Sequence, residues 1–194
     1  REIYPESEFP AGQWDYMYFY QESFELAQRE MESSPFDLVK LLFRKGDPSG
    51  AGQPSNTAFT RKNGGWFGGG PIPDLAIDLD VISTQDAKIF AAALERNGFF
   101  GANSWYMNHD LNAQFSNELN GDKSLDLPVL FFHAEYDYVC QTVNSDFAEP
   151  MRKNCSRLSE INVKSGHWMA QEKPSEVNAG LIRWLAQEAN YWPK

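Results

Sequence analysis

Residues 127–137 read Leu127-Pro128-Val129-Leu130-Phe131-Phe132-His133-Ala134-Glu135-Tyr136-Asp137, and this stretch decides the fold class. Its apolar run begins beside a proline, continues without alternation through Phe132 and ends in polar residues. That is the pattern of a strand covered on both faces of a parallel sheet. Downstream follow a helical segment near residues 145–152, an alternating strand over 158–163, and a terminal helix opened by Pro174 that bears Val177, Leu181, Trp184 and Leu185. Strand, helix, strand, helix is the punctuation of an α/β fold.

In open α/β sheets the reactive residues lie on loops just beyond the carboxyl ends of strands. Two candidates fall there. Asp137 follows the first strand, and His167 follows the second in Val163-Lys164-Ser165-Gly166-His167-Trp168. Neighbouring parallel strands place their end loops side by side, so the two can meet although they are distant in sequence. A carboxylate that fixes a histidine tautomer, with the histidine acting as base, is the orienting pair of a hydrolase triad. Glu135 stands close enough to Asp137 to compete as the acid. His133, at the end of the strand, and His109, in a helical stretch, read as satisfied structural histidines.

Upstream the chain is helical with one long interruption. Residues 15–31 are aromatic first and then amphipathic, with Phe24, Leu26, Ala27 and Met31 at near-helical spacing. A second helix has Ser34 as its cap, Pro35 at its first position, Asp37 in its first turn and Gly46 beyond basic Arg44 and Lys45. Leu38, Leu41 and Leu42 form its expected buried stripe. Residues 46–74 are rich in Gly, Pro, Ser and Asn, so no regular element is placed there, and a loop this long in a compact domain is usually functional. Trp66 and Phe67, between glycines, are candidates to anchor it. Ser83 with Asp86 then caps an Ala-rich helix over 87–96 that stops at Asn97 and Gly98.

Composition sets the boundaries of function. The 194 residues suffice for one ordinary domain with an attached subdomain. A formal charge of -10, from 17 basic and 27 acidic residues without a basic cluster, disfavours nucleic acid and anionic membrane surfaces. Cys140 and Cys155 are too few for a disulfide scaffold and lack metal-ligand spacing, so two free thiols are expected. No run approaches the roughly 20 apolar residues that span a bilayer. A soluble, cytoplasmic protein is the expectation.

These residues converge on a family. A strand followed by Ala134-Glu135-Tyr136-Asp137, then a strand followed by Gly166-His167-Trp168, then Lys173-Pro174-Ser175-Glu176-Val177-Asn178 and a helix with Ile182, Trp184 and Leu185, resembles the C-terminal end of soluble epoxide hydrolases. Asp15-Tyr16 leading into Tyr20-Gln21-Glu22, and Asn97-Gly98-Phe99-Phe100-Gly101 leading into Trp105-Tyr106-Met107-Asn108, resemble the two lid segments that each supply a tyrosine. The resemblance covers nearly the whole chain. It implies the C-terminal part of an α/β-hydrolase parallel sheet with a mainly helical lid: residues 1–13 as an approach segment, 14–122 as lid and return, and 123–194 as core.

The resemblance also assigns roles. It places the acid at Asp137 rather than Glu135, and makes His167 the base that activates water. Tyr16 and Tyr106 would hydrogen-bond the epoxide oxygen, and Trp105 and Trp168 would contact substrate. The implied reaction converts an organic epoxide to a vicinal diol through an alkyl-enzyme ester, with a small apolar epoxide and water as partners and no metal or organic cofactor required. Such enzymes carry their attacking aspartate on a strand-to-helix elbow upstream of the lid, and no elbow is present here. Asp110 lacks flanking glycines and lies within the lid region, so it does not serve. The expectation is therefore a lid and closing half whose nucleophile lies in a missing N-terminal half. Alone it would be inactive, and it would be stable only with that half or by self-association. Two other readings stand beside it: a haloalkane dehalogenase or esterase, which would share Asp137 and His167 without needing two lid tyrosines, and a non-catalytic fragment or binding module.

Overall fold

A computed structural model describes residues 3–118 and 124–191; the expected junction at 122/123 lies outside them. The chain divides into two compact units, one of Arg1–Arg44 with Gly52–Asn120, the other of Lys45–Ala51 with Gly121–Lys194. The short segment Lys45–Ala51 thus groups with the second unit although the first flanks it on both sides.

The first unit is helical. It comprises α1 (Asp15–Glu22), α2 (Phe24–Glu32), α3 (Pro35–Leu42), α4 (Thr84–Asn97), α5 (Phe100–Ser104) and α6 (His109–Glu118). The single stretch expected over 15–31 is two helices, because Ser23 leaves helical geometry (φ -143°, ψ 44°). Backbone bonding carries across the break, Ser23 N–H donating to Phe19 O and Ala27 N–H to Ser23 O.

Ser34 stands at the start of α3, but its hydroxyl donates to the Asp37 carboxylate (2.5 Å) instead of accepting from a helix N–H. The buried stripe also differs from the expected one. Leu38 and Val39 are buried and Leu42 is 45% exposed, so the stripe takes in Val39 in place of Leu42. α4 matches its sequence signals: Ser83 Oγ accepts from Asp86 N–H and donates to the Asp86 carboxylate, and Gly98 follows with φ 67°.

The core of this unit is Phe19, Tyr20, Ala27, Met31, Leu38, Ile72 and Phe99. Between α3 and α4 the irregular segment contains two short 3-10 turns, Pro48–Gly50 and Asn56–Phe59. Trp66 anchors part of it, its ring 5.5 Å from Tyr16 and 5.9 Å from Tyr20.

The second unit holds β1 (Val129–Ala134), α7 (Glu149–Asn154), β2 (Leu158–Val163), α8 (Met169–Glu172) and α9 (Pro174–Gln187). The strands are parallel, with Phe132 opposite Ile161 and His133 opposite Asn162. The first four residues of β1 are only half-buried, short of the two covered faces expected, because among the described residues it has one neighbouring strand. α9 covers the sheet at Gly180, where an added Cβ would stand 2.8 Å from the Phe132 ring and 2.9 Å from Ile161. Val177 and Trp184 share that face at helical spacing and are half-buried. Leu181 and Leu185, one position further round the helix, are 39% and 48% exposed, so the stripe expected from sequence is divided. No helix among the described residues is long and apolar enough to cross a membrane.

The contact at Gly180 leaves no volume for a branched side chain. Gly180→Val should therefore destabilise the unit by about 1–3 kcal/mol through overpacking, read as a lowered melting temperature; an unchanged melt would contradict the close packing.

Candidate active site

In the second unit, strand pairing extends beyond β1 and β2. Glu135 N–H donates to Val163 O and Tyr136 N–H to Ser165 O, each at 2.9 Å. These bonds lace the loop that carries Asp137 to the segment that leads into His167. The two side chains meet, His167 Nδ1 lying 2.7 Å from Asp137 Oδ2. With Nδ1–H donated to the carboxylate, Nε2 is left as the acceptor, the tautomer a general base requires.

The environments of the pair are unequal. The Asp137 side chain is 11% exposed and that of His167 61%. Burial pushes the Asp137 carboxyl up. The His167 hydrogen bond and charge, with backbone N–H donors from Cys140 and Val139, together outweigh it and hold the group below the ordinary 3.8. The hydrogen bond and charge of Asp137 raise His167 above 6.5, against partial burial. Trp168 is half-buried and stands edge-on to His167, ring centres 5.1 Å apart. Glu135, the competing acid, offers its backbone carbonyl to Gln141 Nε2.

His133 is almost fully enclosed, 1% exposed, with Nδ1 2.7 Å from Thr142 Oγ1 and Nε2 2.9 Å from Glu160 Oε1. Arg152 in turn donates twice to Glu160. His133 thus ties β1 to β2 and to the loop beyond Asp137, as a satisfied histidine. His109 departs from that expectation: it opens α6 half-buried, and its Nε2 is buried without a partner among the described residues. A single ring nitrogen at a helix start carries no sequence signature of whether anything faces it.

In the first unit, Tyr16 and Tyr106 stand edge-on with ring centres 5.5 Å apart. Tyr20, absent from the sequence-derived site, completes the group: its ring is stacked on Tyr106 at 4.4 Å and 4°. Burial, and then its neighbours Tyr106 and Tyr16, push the Tyr20 hydroxyl far up, so it holds its proton. In the sequence Tyr20 stands one helical turn after Tyr16, within the lid segment Tyr20-Gln21-Glu22, but nothing there marks it as a partner of Tyr106. Trp105 is 72% exposed and takes no part in this stack. The position of α1 is fixed by Asp15, which accepts from Arg61 N–H (2.8 Å) and Arg61 Nε (2.7 Å).

No model of a known protein family matches the sequence. The pig (Sus scrofa) bifunctional epoxide hydrolase 2 is 30% identical over 178 residues, covering 91% of this chain and 30% of its own. The crystal structure of epoxide hydrolase A from Mycobacterium thermoresistibile superposes with a TM-score of 0.67 at 26% identity, over 88% of this chain and 51% of that one. The chain is similar to these epoxide hydrolases over most of its own length. Potato (Solanum tuberosum) epoxide hydrolase I shares the fold at a TM-score of 0.65 and 18% identity. What the chain shares with these epoxide hydrolases is the C-terminal part of an α/β-hydrolase. It spans about 30% of the length of the curated relative and about half that of the solved ones.

The pair makes a signed prediction. Raised His167 contributes stability below its unfolded value and loses it as pH climbs through its folded pKa; depressed Asp137 contributes above its unfolded value and loses it as pH falls through its own. The melting difference between the parent protein and Asp137→Asn should therefore be widest between the ordinary values of 3.8 and 6.5 and narrow on either side. A difference flat across pH would refute the coupling.

Proposed function

We propose that the protein containing this chain hydrolyses an organic epoxide to a vicinal diol. Residues 123–194 serve as the closing core with Asp137 and His167, and residues 14–122, after the approach segment 1–13, as a lid bearing Tyr16 and Tyr106. The edge-on Tyr16–Tyr106 pair carries this reading, because two adjacent neutral O–H donors suit an oxygen that gains negative charge as a strained ring opens. The relatives' names point the same way.

In this reading an attacking carboxylate outside the chain forms a bond to one ring carbon as that carbon's bond to oxygen breaks. The tyrosines stabilise the alkoxide and one donates its proton. His167 Nε2 then takes a proton from water, whose oxygen attacks the ester carbonyl. The carbonyl–alkoxy bond breaks, the added oxygen's hydrogen passes to the leaving alkoxide to release diol and restore the carboxylate, and the imidazolium proton goes, through solvent, to the tyrosine left deprotonated by ring opening. Asp137 holds the imidazolium formed in that step. Trp105 and Trp168 offer apolar surface to the substrate.

The working partners are then a small apolar epoxide, water, and either the remaining half of the parent or a second copy. Exposed apolar residues support the last point: Leu111 and Phe115 of α6 are 65% and 63% exposed, and Ile182 of α9 is 68% exposed. The free cysteines, Cys140 exposed and Cys155 buried, suit a reducing compartment such as the cytoplasm.

Diol formation from styrene oxide by the full-length protein tests the proposal. Tyr16→Phe or Tyr106→Phe alone should cost about 10²-fold or more in kcat, the scale of one lost oxyanion donor, and the double variant more still. The isolated chain should form no diol. Unchanged turnover in the double variant would leave the Asp137–His167 pair to another hydrolase chemistry.

A further inference from the structure

Glu172 ends α8, and its Oε2 accepts from two backbone donors, Gly166 N–H at 2.8 Å and Gly46 N–H at 3.0 Å. Gly166 directly precedes His167; Gly46 lies 126 positions before Glu172, in the segment Lys45–Ala51. At the shared carboxylate the two glycine backbones press together. A Cβ on Gly46 would stand 2.4 Å from Gly166 N, and one on Gly166 would stand 2.8 Å from Gly46 Cα. Further along the same segment, a Cβ on Gly50 would meet the ring of Tyr138 at 2.7 Å, and Tyr138 directly follows Asp137. One short strap therefore abuts the base loop at one end and the acid loop at the other. Ser165, fully buried beside it, shows how tightly this seam is closed.

We propose that Glu172 and the strap Lys45–Ala51 form a positioning clamp for the Asp137–His167 pair, Glu172 fixing the backbone that presents His167 and Gly46 backing it. Neither touches the reacting atoms in the proposed chemistry, so Glu172 is a positioning residue. The geometry explains why a carboxylate is used. A single charged oxygen can hold two N–H groups at once, and those donors, on a segment without regular pairing, would otherwise lie unsatisfied against packed backbone. The functional consequence rests on the reading of His167 as the water-activating base. A reacting group displaced by about 1 Å costs about 10²-fold in rate.

The test uses the full-length protein and two readouts. His167 ring protons are followed by NMR across pH, and single-turnover reaction with styrene oxide separates ester formation from ester hydrolysis. With Glu172→Ala, the His167 titration should move down toward its ordinary value as the Asp137 contact loosens. Ester hydrolysis should slow about 10²-fold with ester formation little changed. Glu172→Gln, whose amide oxygen still accepts, should restore most of both. Gly46→Ala, acting from the strap, should shift His167 in the same direction as Glu172→Ala. An unshifted titration in either alanine variant that still melts cooperatively overturns the clamp; if Glu172→Ala does not fold, Gly46→Ala and Glu172→Gln decide. A shifted titration in a protein that turns over no epoxide would uphold the clamp and sink the proposed function instead.

Discussion

Parallel pairing carried two bonds past the ends of the strands is the constraint on which the second unit depends. Parallel strands need a crossover, here through α7, and that crossover returns the chain so that both strands end at the same edge of the sheet. Had the bonding stopped at Ala134 and Val163, the following loops would be free to diverge. Instead, Glu135 N–H and Tyr136 N–H stay engaged with Val163 and Ser165, and Asp137 emerges beside the residues that lead to His167. The 2.7 Å contact between two residues remote in sequence is thus a consequence of backbone register. Gly180 serves the same end from the other side, letting α9 lie directly on the paired Phe132 and Ile161.

A second pattern runs through both units: carboxylates accept from backbone N–H groups of irregular segments. Asp15 holds Arg61 N–H, Glu30 holds Trp66 N–H and Glu32 holds Phe99 N–H in the first unit. In the second, Asp137 holds Cys140 N–H, and Glu172 holds those of Gly46 and Gly166. Loops rich in glycine and proline cannot pair their amides in a ladder, yet those amides must be satisfied where they pack. Charged acceptors on nearby helices meet that demand with stronger bonds than neutral ones provide. The acidic excess of the composition is therefore partly structural, ordering the long irregular segment that brings Trp66 against Tyr16 and Tyr20.

The sequence was most legible where local chemistry decides structure. Ser83, Asp86 and Gly98 bound a helix through contacts within four residues, and the apolar run after Pro128 and the alternation over 158–163 place both strands. The meeting of Asp137 with His167 was legible because neighbouring parallel strands set their end loops side by side. What escaped depends on partners that periodicity cannot name. The α3 stripe takes in Val39 instead of Leu42, which leucine spacing does not mark. Ser34 bonds the Asp37 carboxylate three residues on and accepts from no helix N–H. Tyr20 and Tyr106 stack across a wide sequence separation. Glu172 finds Gly46 across 126 residues, with nothing in its own neighbourhood to mark it.

The contrast in exposure within the Asp137–His167 pair follows from the same loop. A carboxylate taken out of water is costly unless its oxygens are matched. The turn after Asp137 supplies the match by folding the backbone N–H of Cys140 onto Oδ1, while Oδ2 takes the imidazole. A glutamate at this position would carry its oxygens one methylene further from the backbone and disturb the bond from Cys140 N–H. The anion can then stay buried and ionised while the imidazole it orients reaches outward, with its second nitrogen where water can meet it. Burial of the acid and exposure of the base are two results of one turn, and together they give His167 a fixed tautomer without closing it off from the water it would activate.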